Sequence, residues 1–251
     1  MRMQFMPGRV SQARAVHAIC KSGAAKHAGP ANLPARRESQ SWFICAGQLD
    51  VTAVMWLRSM ALPQVMKQEF EMPYWLVIDL EATTEEGGWP VAEMEIIEIG
   101  ASLVNQDGRE IDHFERFVRP VRRPLLTPFC RELTHIQQSF IDSASTLPTV
   151  WPQFERWIAQ HRERLVAWTS WGDYDRQQLQ QDWRRHQLES ELATLPHINL
   201  KQRFAKARHL QKPCGLNTAL QLAGMHFNGQ QHRALSDARN TARLLPLVMP
   251  G

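Results

Sequence analysis

Two acids separated by a single residue, Asp79 and Glu81, stand at the end of the apolar run 74–80 (YWLVIDL), which reads as a strand buried on both faces. Side chains alternate along a strand, so the two carboxylates leave the same face. Negative charges sharing a face repel unless a cation lies between them, and an all-oxygen ligand set suits a hard ion, Mg²⁺ or Mn²⁺. With 9 Asp and 16 Glu in 251 residues, chance alone supplies about 0.6 such pairs. The position is more telling than the pair, because acids closing a buried strand are costly without a partner.

Three further residues are candidates for the same chemistry. Asp175 lies in WGDYD, just after the short apolar run 165–168, at a strand-to-helix junction where an acid serves either a site or a helix N-terminus. Its neighbour Asp173 reads as an N-cap. His232 and Asp237 are five apart, the histidine ahead of the last helical segment and the aspartate in its first turn; about 0.36 such pairs arise by chance. Each is ambiguous alone, since a loop histidine is commonly a surface residue and an early helical aspartate commonly complements the helix dipole. Their combination carries the signal.

The elements that must position these groups follow from periodicity. After the first strand, 96–104 (IIEIGASLV) and 110–118 (EIDHFERFV) read as strands joined by an Asp107-Gly108 hairpin turn. Residues 148–160 carry Val150, Trp151, Phe154, Trp157 and Ile158 at helical spacing. A strand at 165–168, helices at 175–186, 200–207 and 216–223, and a last helix at 235–248 with Pro246 near its end complete the pattern β-β-β-α-β-α-α-α. That is an α/β domain with a mixed sheet.

Composition narrows the rest. The net charge of +4 comes from residues 1–71, so any nucleic-acid contact on the remainder is a local groove rather than a general basic surface. Residues 1–37 contain no acid and show no periodicity, a composition that cannot bury a core. Residues 1–71 read as a basic, poorly ordered extension without catalytic consequence, with one short helix possible within 48–66; a transit peptide and a stretch upstream of a start at Met66 or Met72 are the alternatives. The domain proper is 72–251. No run reaches the ~20 apolar residues of a bilayer span, and Cys20, Cys45, Cys130 and Cys214 are widely scattered, which reads as reduced thiols in a cytoplasmic protein. P-loop, dinucleotide-binding, zincin and α/β-hydrolase motifs are absent.

The ordered set Asp79-x-Glu81, Asp175, His232-x-x-x-x-Asp237 resembles the DEDDh family of 3′-to-5′ exonucleases, built on the RNase H-like fold of a mixed sheet flanked by helices. The stretches VIDLEATTEEG, EIIEIGA and FCRELTHIQQSFIDSASTLPTV are similar to those of the KapD-type and histone-mRNA/siRNA-degrading subgroup. The resemblance covers about 74–245. It implies a two-ion phosphodiester hydrolase using Mg²⁺ or Mn²⁺, with Asp79 bridging the ions, Glu81 and Asp237 completing one site, Asp175 supporting the other, and His232 as general base. It further implies that Thr83 and the segment Leu133, Thr134, His135 grip the 3′-terminal nucleotide. His135 departs from the glycine usual in relatives. The expected partner is single-stranded nucleic acid, RNA favoured through the subgroup; a DNA-trimming exonuclease and an inactive interaction module are the alternatives. Oligomeric state is not legible.

Overall fold

The protein is described here by a computed structural model covering residues 72–249. The expectations for the arm 1–71 and for a helix within 48–66 lie outside the described residues. Strand β1 (Tyr74–Ala82) pairs antiparallel with β2 (Ile96–Val104), which pairs antiparallel with β3 (Glu110–Phe117). On its other side β1 runs parallel to β4 (Leu165–Ser170), and β4 parallel to the short β5 (His197–Asn199), giving the order β3-β2-β1-β4-β5. Between β2 and β3 the Asn105 side-chain oxygen accepts from the N–H groups of Asp107 and Arg109, and Gly108 takes the left-handed φ of 74° that the turn requires.

Seven α-helices occur among the described residues: α1 (Pro128–Thr134), α2 (Gln138–Ser143), α3 (Leu147–Ala159), α4 (Tyr174–His186), α5 (Leu200–Ala207), α6 (Leu216–Leu222) and α7 (Ala234–Ala242). The alternation along β1 separates two cores. Leu76, Ile78 and Leu80 pack with Trp151, Phe154 and Ile158 of α3 and Leu179 and Trp183 of α4. Trp75 and Val77 face the other way, against Leu200 and Phe204 of α5, Leu220 of α6 and Ala238 and Ala242 of α7. Asp79 and Glu81 continue this second face, so the strand that builds the core also delivers the acids.

Three features differ from the sequence reading. Helices α1 and α2, seven and six residues long, and the three-residue β5 are too short to show a period. The expected helix at 235–248 is two pieces: α7 stops at Ala242, and a 3₁₀ turn Leu245–Leu247 follows. Pro246 has no N–H to continue the ladder and its ring would meet the carbonyl four residues back. Asp173 stands at the N-cap position of α4 but makes no side-chain cap bond; its carboxylate accepts from Asn199 Nδ2 at 2.7 Å and pairs with Arg176 at 3.0 Å.

Candidate active site

The acids gather where β1 projects past β4. Parallel pairing ends at Val77 opposite Thr169, leaving the Leu80 N–H beyond the end of β4. Asp175, buried in the first turn of α4, takes it: its Oδ1 accepts from Leu80 N at 3.0 Å. One carboxylate therefore satisfies a strand donor and ties α4 to the acid-bearing strand.

The other side of the site is set by a glycine. Asp79 lies opposite Gly100 in the β1–β2 register. A Cβ on Gly100 would come within 2.1 Å of the Ala234 carbonyl carbon and the Leu235 nitrogen, so only glycine lets the first turn of α7 rest on β2. That turn carries Asp237. Just before it, His232 adopts a left-handed φ of 57° and its N–H donates to Asp237 Oδ2 at 3.2 Å. One ligand-capable atom from each of Glu81, His232 and Asp237 lies within 4.8 Å of the other two.

Electrostatics show a site short of positive charge. Burial, and then the charges of Asp175, Asp237, Glu81 and Glu98, hold the Asp79 carboxyl well above the usual carboxylate range. Glu81 is raised by burial and by Asp237, Glu98 and Asp175, with Arg233 opposing. Burial pushes Asp175 up to about 7 against hydrogen bonds from backbone N–H groups and the Ser170 hydroxyl, and pushes Asp237 up to about 6 against the His232 N–H. The second oxygen of Asp237 is buried without a partner. Crowded, elevated carboxyls and an orphaned buried oxygen are what a hard divalent cation relieves, so the donor set fits Mg²⁺ or Mn²⁺. His232 is exposed as a residue, yet enough protein surrounds its ring that burial, followed by the charge of His135, lowers its pKa from 6.5. The neutral, proton-accepting form is thereby favoured at neutral pH.

Two residues of this site escaped the sequence reading. Glu98, fully buried on β2 opposite Glu81, accepts two hydrogen bonds from Arg233 Nε, one from Arg233 Nη2 at 2.7 Å and one from the Ala234 N–H at 3.0 Å. Glu98 and Arg233 therefore lock the start of α7, and with it His232 and Asp237, onto the sheet. A lone glutamate inside the apolar IIEIGASLV was the available signal, because a buried charge demands a partner.

The residues expected to grip a nucleotide divide into two groups. Thr83 and Thr134 are sealed inside: Thr83 Oγ1 accepts from Glu95 N at 2.9 Å, and Thr134 Oγ1 donates to Cys130 O and accepts from Ile136 N. Their hydroxyls tie together the wall beside the acids. Leu133 is half-buried, while His135 is exposed in the left-handed C-cap of α1 at φ 59° and bears electrostatically on His232. Helix α1 is fastened beside the acids by Thr127 Oγ1 donating to Thr84 O and by Cys130 Sγ against Ala82 O.

Residues 76–245 match the exonuclease family RNase_T, and the chain belongs to that family. It is 34% identical over 198 residues to ERI1 exoribonuclease 2 of Homo sapiens, covering 71% of this chain and 28% of that relative. To 3′-5′ exoribonuclease 1 of Homo sapiens it is 31% identical over 179 residues, covering 68% of this chain and 51% of the relative. The chain thus spans well under two thirds of the length of these relatives. The solved nuclease domain of 3′hExo, a DEDDh family member bound to rAMP, superposes with a TM-score of 0.63 at 29% identity, covering 69% of this chain and 90% of that one. The five-stranded mixed sheet flanked by helices is accordingly the RNase H-like fold.

Proposed function

We propose that the domain at 72–251 is a divalent-metal-dependent 3′-to-5′ exonuclease acting on RNA or short single-stranded nucleic acid. The observation that carries this is the convergence, from β1, α4 and the start of α7, of Asp79, Glu81, Asp175, His232 and Asp237 around one electronegative, cation-deficient point. Asp79, Glu81, Asp175 and Asp237 would hold the ions. When bound, two divalent ions lower the pKa of an attacking water and neutralise charge on the phosphate and the leaving oxygen. A ring nitrogen of neutral His232 takes the proton of that water, and Asp237 orients the residue through its backbone N–H. Leu133 and His135 flank the position of the terminal nucleotide.

RNA is placed first because two relatives are named exoribonucleases and the 3′hExo domain was solved with rAMP. A cytoplasmic location is proposed on the dispersed cysteines, of which the two described, Cys130 and Cys214, are free. The test is release of mononucleotides from 3′-labelled and 5′-labelled RNA and DNA oligomers with Mg²⁺, Mn²⁺ or EDTA. Prompt, metal-dependent loss of the 3′ label, with RNA at least as good as DNA, is the expected result. Internal fragments, or loss of the 5′ label first, would contradict it.

A further inference from the structure

A cleft of about 570 Å³ opens between α4 and the segment leading into β5. Arg176, Gln180 and Arg184 line it from α4, spaced four apart on one helix face, and Gln187 lines it from the left-handed C-cap of that helix. Its apolar side is supplied by Leu188, Leu192 and Leu195. No acidic residue lines it.

Three observations show that the cleft is equipped for a ligand rather than filled by its own chain. Arg176 is engaged by Asp173 at 3.0 Å, whereas the Arg184 guanidinium and the amides of Gln180 and Gln187, all exposed, have no side-chain partner among the described residues. Trp183, which also lines the cleft, is 8% exposed and its indole N–H is unpartnered. The neighbouring indoles of Trp151 and Trp168 donate to Glu189 O and Leu192 O. A buried donor without an acceptor is costly, and the wall of the cleft otherwise offers one free cation and two free amides beside its apolar side.

The cleft begins at the first turn of α4, the turn that also carries Asp175. From Arg176 to Arg184 it extends ~12 Å along the helix, the length of about three stacked nucleotides at ~3.4 Å each. We propose that this cleft binds single-stranded nucleic acid upstream of the 3′ end, Arg184 contacting a phosphate, the glutamine amides meeting base or sugar edges, and the partly exposed Leu188 and Leu195 receiving base faces. This rests on the exonuclease reading for its direction, and it adds an expectation to that reading: strands should be better substrates than dinucleotides.

The test compares wild type with Arg184→Glu and with Gln180→Ala/Gln187→Ala, all exposed positions remote from the metal-holding residues. Two readouts are taken: hydrolysis of a dinucleotide and of a strand of about a dozen nucleotides, and anisotropy of the labelled strand in EDTA across a salt series. Arg184→Glu should leave dinucleotide turnover within roughly twofold, weaken strand binding roughly tenfold, and reduce the salt slope by about 0.7, the value of one phosphate on a single strand. The double glutamine variant should weaken binding with the slope unchanged. Unchanged strand affinity, equal loss on the dinucleotide, wild type that does not bind the strand, or a change of oligomeric state in sedimentation would each overturn the proposal. Arg184-dependent binding without hydrolysis by wild type would sustain the cleft and sink the exonuclease reading instead; hydrolysis indifferent to Arg184 would do the reverse.

Discussion

Asp175→Asn should make the metal-free protein more stable at alkaline pH while destroying its activity. In the folded chain burial raises the Asp175 carboxyl from 3.8 to about 7, so between those values the native state keeps a proton that the unfolded state releases. Stability therefore falls as pH rises through this window, the reverse of the usual carboxylate. At ~1.4 kcal/mol per pKa unit, a carboxyl moved from 3.8 to about 7 costs the apo protein on the order of 4 kcal/mol once ionised. Asparagine removes the charge and keeps an oxygen to accept the Leu80 N–H. His197, lowered to about 4 by burial, has the opposite pH dependence but is common to both proteins and cancels in the comparison. Urea unfolding in EDTA at about pH 4 should show the two proteins nearly equal, and at pH 8 the variant ahead by as much as ~4 kcal/mol. A variant less stable than wild type at pH 8 would refute the claim that this carboxylate is held at an electrostatic cost.

Gly100→Ala should lower stability by about 1–3 kcal/mol in urea unfolding and reduce kcat roughly 10²-fold, because the added methyl would lie 2.1 Å from the Ala234 backbone and must lift the turn bearing Asp237. Arg233→Ala leaves Glu98 buried without its counter-ion and should cost about 3–5 kcal/mol by the same assay; Glu98→Gln/Arg233→Ala should recover part of that. His232→Ala should bind Mg²⁺ normally by calorimetry yet turn over about 10² to 10⁴-fold more slowly. Because the His232 pKa is lowered from 6.5, the wild-type rate should climb with pH below about 6.5 and flatten above it, and the variant should lose that limb.

What the sequence made legible follows from how strongly each element is buried. The bounds of strand β2 are legible because all nine residues are buried, and a mostly apolar run is the simplest pattern to read. Asp79 and Glu81 stood out for the same reason, as charges closing such a run. Glu98 obeyed the same rule and was passed over, since it has no near partner in sequence; Arg233, which satisfies it, is 135 residues away. Helices α1 and α2 depend on tertiary anchors, such as Thr127 bonding Thr84 O, that leave no periodic trace. The expected contacts of Thr83 and of the Leu133, Thr134, His135 segment came from motif position alone, and motif position does not reveal which way a side chain turns; the Thr83 and Thr134 hydroxyls bond within the wall of the site.

The five converging residues are proposed to remove nucleotides from a 3′ end. This role is tested most directly by following a 5′-labelled single-stranded RNA on a denaturing gel with wild type and Asp79→Ala side by side, each confirmed folded by its melting curve. A ladder shortening stepwise from the 3′ end with Mg²⁺, no change in EDTA, and an inactive variant that melts no lower than wild type are expected. A ladder retained by Asp79→Ala at above roughly a tenth of the wild-type rate, or cuts scattered along the strand, would contradict that role.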